Sequence, residues 1–221
     1  IHIQFMSAGA NFDREFLRHQ QMMLGVMCGL LAPLAVVFGI IGDNPDEWWY
    51  SISATYYCNS KIFMIGLLFT TFIYFLAYRG YDRRDKIIAT VSGISALLVI
   101  AFPTKTSFVN DTDLVGLIHL PVAETNIIHC VSASILFVSF AIMILFQFTK
   151  SDGEMTPEKK KRNILYKICG NTINFFMAFQ MFTVTFDEIF PNWGTMVNEA
   201  AMLTAFAVAW LCKAGCFKML N

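Results

Sequence analysis

The apolar positions of this chain gather into six runs, with polar residues concentrated between them. The runs fall at about 21–41, 62–78, 87–102, 127–149, 164–186 and 196–217. A bilayer core of about 30 Å takes roughly 20 residues of α-helix at 1.5 Å per residue. Runs of this length predict membrane-crossing helices; strand-sized runs would be 4–8 residues. The third is short for a full crossing, and Pro103 ends it. Pro33 lies inside the first and predicts a kink there. The expected fold is all-α: a polytopic membrane bundle with a six-helix transmembrane domain over 21–217 and a short tail at 218–221. No repeat relates its two halves.

Residues 1–20 precede the first run. Within them, Phe12, Phe16 and Leu17 recur at helical spacing behind Asn11, a residue suited to a helix cap. This predicts a short amphipathic helix over 11–20, lying on the membrane surface. No signal-peptide pattern is visible near the start, so the first run is expected to be a permanent span.

The stretch 43–61 separates the first two runs. It carries Asp43, Asp46 and Glu47, the rings Trp48, Trp49, Tyr50, Tyr56 and Tyr57, and several hydroxyls. Aromatic residues of this kind anchor at the headgroup level. The segment is therefore expected at one membrane surface, as the floor or lid of a site.

Composition agrees with this class. Of the 221 residues, 56% are hydrophobic and 14% charged, against about a quarter charged in a soluble domain. Net charge is zero, which argues against a nucleic-acid partner. Sorted by loop, charge sets orientation. Fourteen of the 16 lysines and arginines fall on one side, counting the N-terminal segment, the second-to-third connection, the fourth-to-fifth connection and the C-terminal end. Only Lys61 and Lys105 fall on the other. The positive-inside rule then places both termini in the cytoplasm, with 42–61, 103–126 and 187–195 facing outward, in a plasma or inner membrane. The Lys-Lys-Lys-Arg run at 159–162 reads as a topology determinant or as a contact for anionic headgroups. The outer loop 103–126 holds a nine-residue apolar stretch at 114–122, too short to span, and the glycosylation sequon Asn110-Asp111-Thr112.

Six cysteines are scattered without a Cys-x-x-Cys pair. Most read as small packing residues. Cys58 and Cys130 share the outer side, which leaves one disulfide open.

Polar groups inside apolar runs need partners. His129 lies near the outer end of the fourth run, with Ser132 and Ser139 on its helical face. Glu199 lies near the outer end of the sixth. The third carries Ser92 and Ser95; the fifth carries Asn171, Asn174 and Gln180 at greater depth. A site reading follows: His129 as acid, base or ligand, Glu199 as its orienting partner, and Ser51 or Ser53 as nucleophile or binding hydroxyl. Tyr56, Thr104, Ser132, Asn171 and Asn174 would line the pocket around them. The alternative is that His129, Glu199 and the asparagines tie helices together by hydrogen bonds. A metal version with His119, Glu124 and His129 lacks the i, i+4 histidine pair of zinc helices, so no metal or other cofactor is assigned. No acid sits in mid-span for a proton relay, and there is no arginine ladder, carbonyl-filter motif or phosphate loop.

Five short stretches resemble the signposts of uncharacterised bacterial six-span membrane proteins. They are Ser51-Ile52-Ser53-Ala54, Tyr78-Arg79-Gly80-Tyr81-Asp82, Phe102-Pro103-Thr104, His129-Cys130-Val131-Ser132-Ala133 and Trp210-Leu211-Cys212-Lys213-Ala214-Gly215. In that group a His follows the Ser-Ile-Ser-Ala-Tyr-Tyr run, and the matching position here is Tyr57. The resemblance implies a six-helix fold and no particular activity. The layout is also similar to membrane hydrolases that draw Ser, His and acids from several spans, but their multiple histidines are missing.

The sequence therefore leaves three functions open. The first is binding or transport of a small molecule, ion or lipid at an outward pocket. The second is an intramembrane, lipid-directed hydrolase using Ser51 or Ser53, His129 and Glu199. The third is an accessory subunit of a larger complex. Expected partners are membrane lipids, with a homo-oligomer or larger membrane complex as further options.

Overall fold

The computed structural model describes residues 2–42, 48–78, 80, 82–151, 153–186, 188–217 and 220, with side chains in the first helix from residue 15 onward. Asp43, Asp46 and Glu47, expected in the outer segment, lie outside the described residues, as do Arg79, Tyr81 and Lys218.

The described residues form six α-helices: α1 (His2–Ile41), α2 (Lys61–Ala77), α3 (Arg83–Ala101), α4 (Val122–Ile142), α5 (Pro157–Thr185) and α6 (Gly194–Lys213). The only sheet among them is a two-residue hairpin, β1 (Leu114–Val115) paired antiparallel with β2 (Leu120–Pro121). Each helix packs on its neighbours in sequence, and α6 closes the ring on α1.

Three helical stretches are long and apolar enough to cross a membrane: Glu15–Ile41, Val122–Gln147 and Gly194–Lys213. Lys61–Ala77 is apolar but shorter. Charged residues at 83–86 occupy the first turn of α3, leaving about 15 apolar residues, or roughly 22 Å of helix. α5 is long enough but carries Asn171, Asn174 and Gln180 along its length.

Two boundaries differ from the sequence expectation. The amphipathic segment at 11–20 is not a separate helix; it continues into the first apolar run as one helix. No Gly or Pro lies between Asn11 and Leu24, so nothing in the backbone chemistry stops it. The fourth run is not α-helical throughout. It ends in a π-helical turn, Met143–Gln147, closed by Phe148 N–H donating to the Met143 carbonyl at 3.0 Å.

Local chemistry accounts for the starts. Asp82 caps α3 by accepting from the Asp85 amide at 3.0 Å. Thr156 caps α5 by accepting from Lys159 N–H at 3.2 Å, with Pro157 at the first helical position. Close packing of α1 on α6 depends on small residues. A Cβ on Gly25 would come within 2.9 Å of Leu211 and 3.1 Å of the Ala207 carbonyl, and one on Gly29 within 3.2 Å of Ala207. This is the small-xxx-small pattern that lets helices approach closely.

The core is aromatic. Trp210 is fully buried, with Tyr74, Phe75, Tyr78, Phe148 and Phe206 all within 6.0 Å between centroids. Phe140 stacks on Phe206 at 3.7 Å. The connections gather at two ends. At one, Arg18 Nε donates to the Ala214 carbonyl, Lys150 pairs with Asp82 at 2.7 Å, and Arg162 donates to the Leu220 carbonyl. At the other lie the segment 48–60, the hairpin loop and the start of α6.

Candidate functional site

A short, folded cap builds the site. Two 3₁₀ turns, Trp48–Tyr50 and Ser53–Tyr57, lie across the second end of the bundle. The second turn leaves its first amides without backbone partners, as every helix start does. Glu199 of α6 supplies the acceptor. Its carboxylate accepts from Ile52 N–H at 2.6 Å, Ser53 N–H at 3.4 Å and Ser53 Oγ–H at 3.1 Å. Ser51 Oγ caps locally, accepting from Ala54 N–H at 2.9 Å. Tyr57 then donates its hydroxyl to the Thr104 carbonyl at 3.0 Å. Burial, with Tyr56 and Asp113 nearby, pushes the Tyr57 phenol up to about 12. Burial also raises the Cys58 thiol.

The loop after α3 closes the opposite wall. Thr104 Oγ–H and Lys105 N–H both donate to the Asn126 side-chain carbonyl, at 3.0 and 2.9 Å. Lys105 Nζ pairs with Asp111 at 2.7 Å on the surface. Behind, α5 and α6 are joined by a chain of amides and hydroxyls. Gln180 donates to Thr195 at 2.9 Å, and Asn198 donates to Gln180 at 2.8 Å and to Thr183 at 3.2 Å.

These walls enclose a cavity of about 770 Å³. Ser51, Ser53, Thr104, His129 and Glu199 all line it, so the structure brings together these five residues singled out in the sequence. Its chemistry is graded along α4 and α6, while α5 adds the apolar Met181 and Val184 at the capped end. Asn126, His129, Thr195 and Glu199 come from the first turns of α4 and α6 at the capped end. One to three turns further in, the lining is Ala133, Ser134, Phe137, Met177 and Met202.

His129 does not meet Glu199 or a hydroxyl, contrary to the expectation. Its ring is buried, and Nδ1–H donates to the carbonyls of Val99 at 3.1 Å and Phe102 at 2.9 Å. Those carbonyls belong to the end of α3, where helical acceptors are left over. Two carbonyls at Nδ1 fix the proton there and leave Nε2 with the lone pair. The Ser53 hydroxyl proton points to Glu199, so no Ser–His relay is assembled.

The remaining candidates fall elsewhere. Ser132 is buried in the packing face of α4, and Tyr56 is half-buried edge-on to Tyr57 at 5.2 Å. Asn171 and Asn174 are exposed on the outside of α5; neither lines this cavity. Among the described residues, no three His, Cys, Asp or Glu side chains gather as a metal site; His119, Glu124 and His129 stay apart. All six thiols are free, Cys58 buried and Cys130 exposed, so the disulfide left open between them is not formed. The reading missed Asn126, Thr183, Thr195 and Asn198. Their only sequence signal is an amide or hydroxyl within two turns of a helix end.

No protein-family model matches the chain, and neither the curated proteins nor the solved structures provide a match.

Proposed function

We propose that the chain is a six-span membrane protein with both termini cytoplasmic, whose outward cavity binds one amphiphilic molecule, a lipid or a lipid-like small molecule. The positive-inside distribution supports the orientation, with Lys105 the one lysine lining the cavity. The observation that carries the ligand class is the graded lining. A polar head would face Asn126, His129 Nε2, Thr195 and Glu199, and an apolar chain would lie along Ala133, Phe137, Met177 and Met202. Sites of this size bind by apolar contact and use a few polar groups to fix orientation. The resemblance to bacterial six-span proteins fits the fold and is silent on the ligand. The hydrolase alternative draws on the Ser53–Glu199 contact, but no group takes the Ser53 proton toward a histidine.

Native mass spectrometry of protein extracted from its own membrane tests the reading. One retained lipid-sized adduct is expected. Ala133→Trp, which fills the apolar half, should lose it without changing the melting temperature by more than a few degrees. Equal adducts in both proteins, or none in the wild type, would contradict it.

A further inference from the structure

The outward face of α5 has a pattern that the cavity does not use. Ile164, Ile168, Asn171, Phe175, Ala178 and Phe182 follow one another at spacings of four and three, and all six are exposed. This is a heptad seam six positions long, with Ile164, Asn171 and Ala178 in one column and the bulky Ile168, Phe175 and Phe182 in the other. Its ends are separated by roughly 27 Å of helix, close to the thickness of a bilayer core. The face is also indented, with a groove of about 490 Å³ along Lys167, Asn171, Thr172 and Phe175.

Asn171 indicates what covers this face. Its amide makes no hydrogen bond within the described chain, and lipid offers none. An exposed amide inside a bilayer is costly unless a partner arrives. A second copy inserted the same way presents the same face across a twofold axis along the membrane normal. The two α5 helices are then parallel, and Asn171 meets its own counterpart. An amide carries both donors and an acceptor, so such a pair satisfies itself. Ala178, one heptad on in the same column, allows close approach there, while the bulky column supplies knobs for the groove. We infer that two copies of this chain dimerise through the α5 seam, with the Asn171 pair fixing register. This rests on the reading of α5 as a membrane span.

The test is disulfide crosslinking in native membranes, with the exposed Cys130 and Cys216 replaced by Ser. Ala178→Cys, on the seam, should give a dimer on mild oxidation; Met177→Cys, which faces the cavity, should not. Asn171→Leu should weaken dimerisation in liposomes by about 3- to 30-fold, measured by single-molecule photobleaching. No crosslink at Ala178→Cys, equal crosslinking at Met177→Cys, or single-step bleaching throughout would overturn the dimer. A water-soluble maleimide separates the two failures. If it labels Ala178→Cys in intact membranes, α5 is not a span and the dimer falls with that reading. Protection without crosslinking removes the dimer alone.

Discussion

Glu199 holds the cap at 48–60 to the bundle, and replacing it should release that cap while the helices stay folded. The carboxylate accepts two backbone amides and one hydroxyl, at 2.6, 3.4 and 3.1 Å. A hydrogen bond to a charged group contributes about 1.5–3 kcal/mol. Only the Ile52 bond is short; the other two are long, and water from the cavity can reach the freed amides. Glu199→Ala should therefore cost about 2–3 kcal/mol, where the sum of three ideal bonds would be larger. Glu199→Gln keeps one carbonyl acceptor and loses charge assistance, so about 1 kcal/mol is expected. The cap contains its own reporter, since Cys58 is buried in it and free. Its reaction with a maleimide requires the cap to open. A cost of 2–3 kcal/mol confined to the cap raises labelling by about 30- to 150-fold in Glu199→Ala, and about fivefold in Glu199→Gln. The label is located by peptide mass spectrometry. Cys58 labelling within threefold of wild type in a folded Glu199→Ala protein would refute the anchoring role.

Tyr57 gives a pH signature in the same cap. Its folded pKa, about 12, lies above the unfolded value, so its contribution is complete below about pH 10 and is lost as pH rises toward 12. Tyr57→Phe should flatten the alkaline rise in Cys58 labelling, after correction for the thiol's own ionisation; an unchanged slope would count against the Tyr57–Thr104 contact. Asn198 ties α5 to α6 through Gln180 and Thr183. Asn198→Ala should lower stability in detergent by about 1–2 kcal/mol, read from denaturant midpoints, and no loss would mean water replaces both bonds. Gly25→Val should block the close contact of α1 on α6 at a cost of about 1–3 kcal/mol; an unperturbed melting temperature would show that Leu211 moves aside without strain.

Each of the six apolar runs falls largely within a helix, and three of those helices are long and apolar enough to cross a membrane, because a long apolar run leaves few alternatives to helix. The ends were harder. Nothing in the residues marks the turn at Met143–Gln147 as π, and the amphipathic spacing of Phe12 and Phe16 suggests a separate helix although no stop signal precedes Leu24. Ser51, Ser53, Thr104, His129 and Glu199 were legible as one cluster because all sit at the same depth, but the Ser53–Glu199 contact was not. His129 departs from the side-chain pairing that its position suggests because the leftover backbone carbonyls of α3 take its Nδ1–H. The asparagines carried an unread signal. Gln180 lies nine residues from Asn171, half a turn out of phase at about 100° per residue. If Gln180 faces α6, Asn171 must face away from the bundle, as it does.

The proposed function has the capped end facing outward and the basic end facing the cytoplasm. Side-selective labelling in intact cells tests this most directly, with Cys130 and Cys216 replaced by Ser and one new cysteine at a time. Ser107→Cys, at the cavity wall, should react with an impermeant maleimide added outside. Lys160→Cys, in the basic connection, should react only after the membrane is permeabilised. Labelling of Lys160→Cys in sealed cells, with Ser107→Cys protected, would invert the protein and contradict the account.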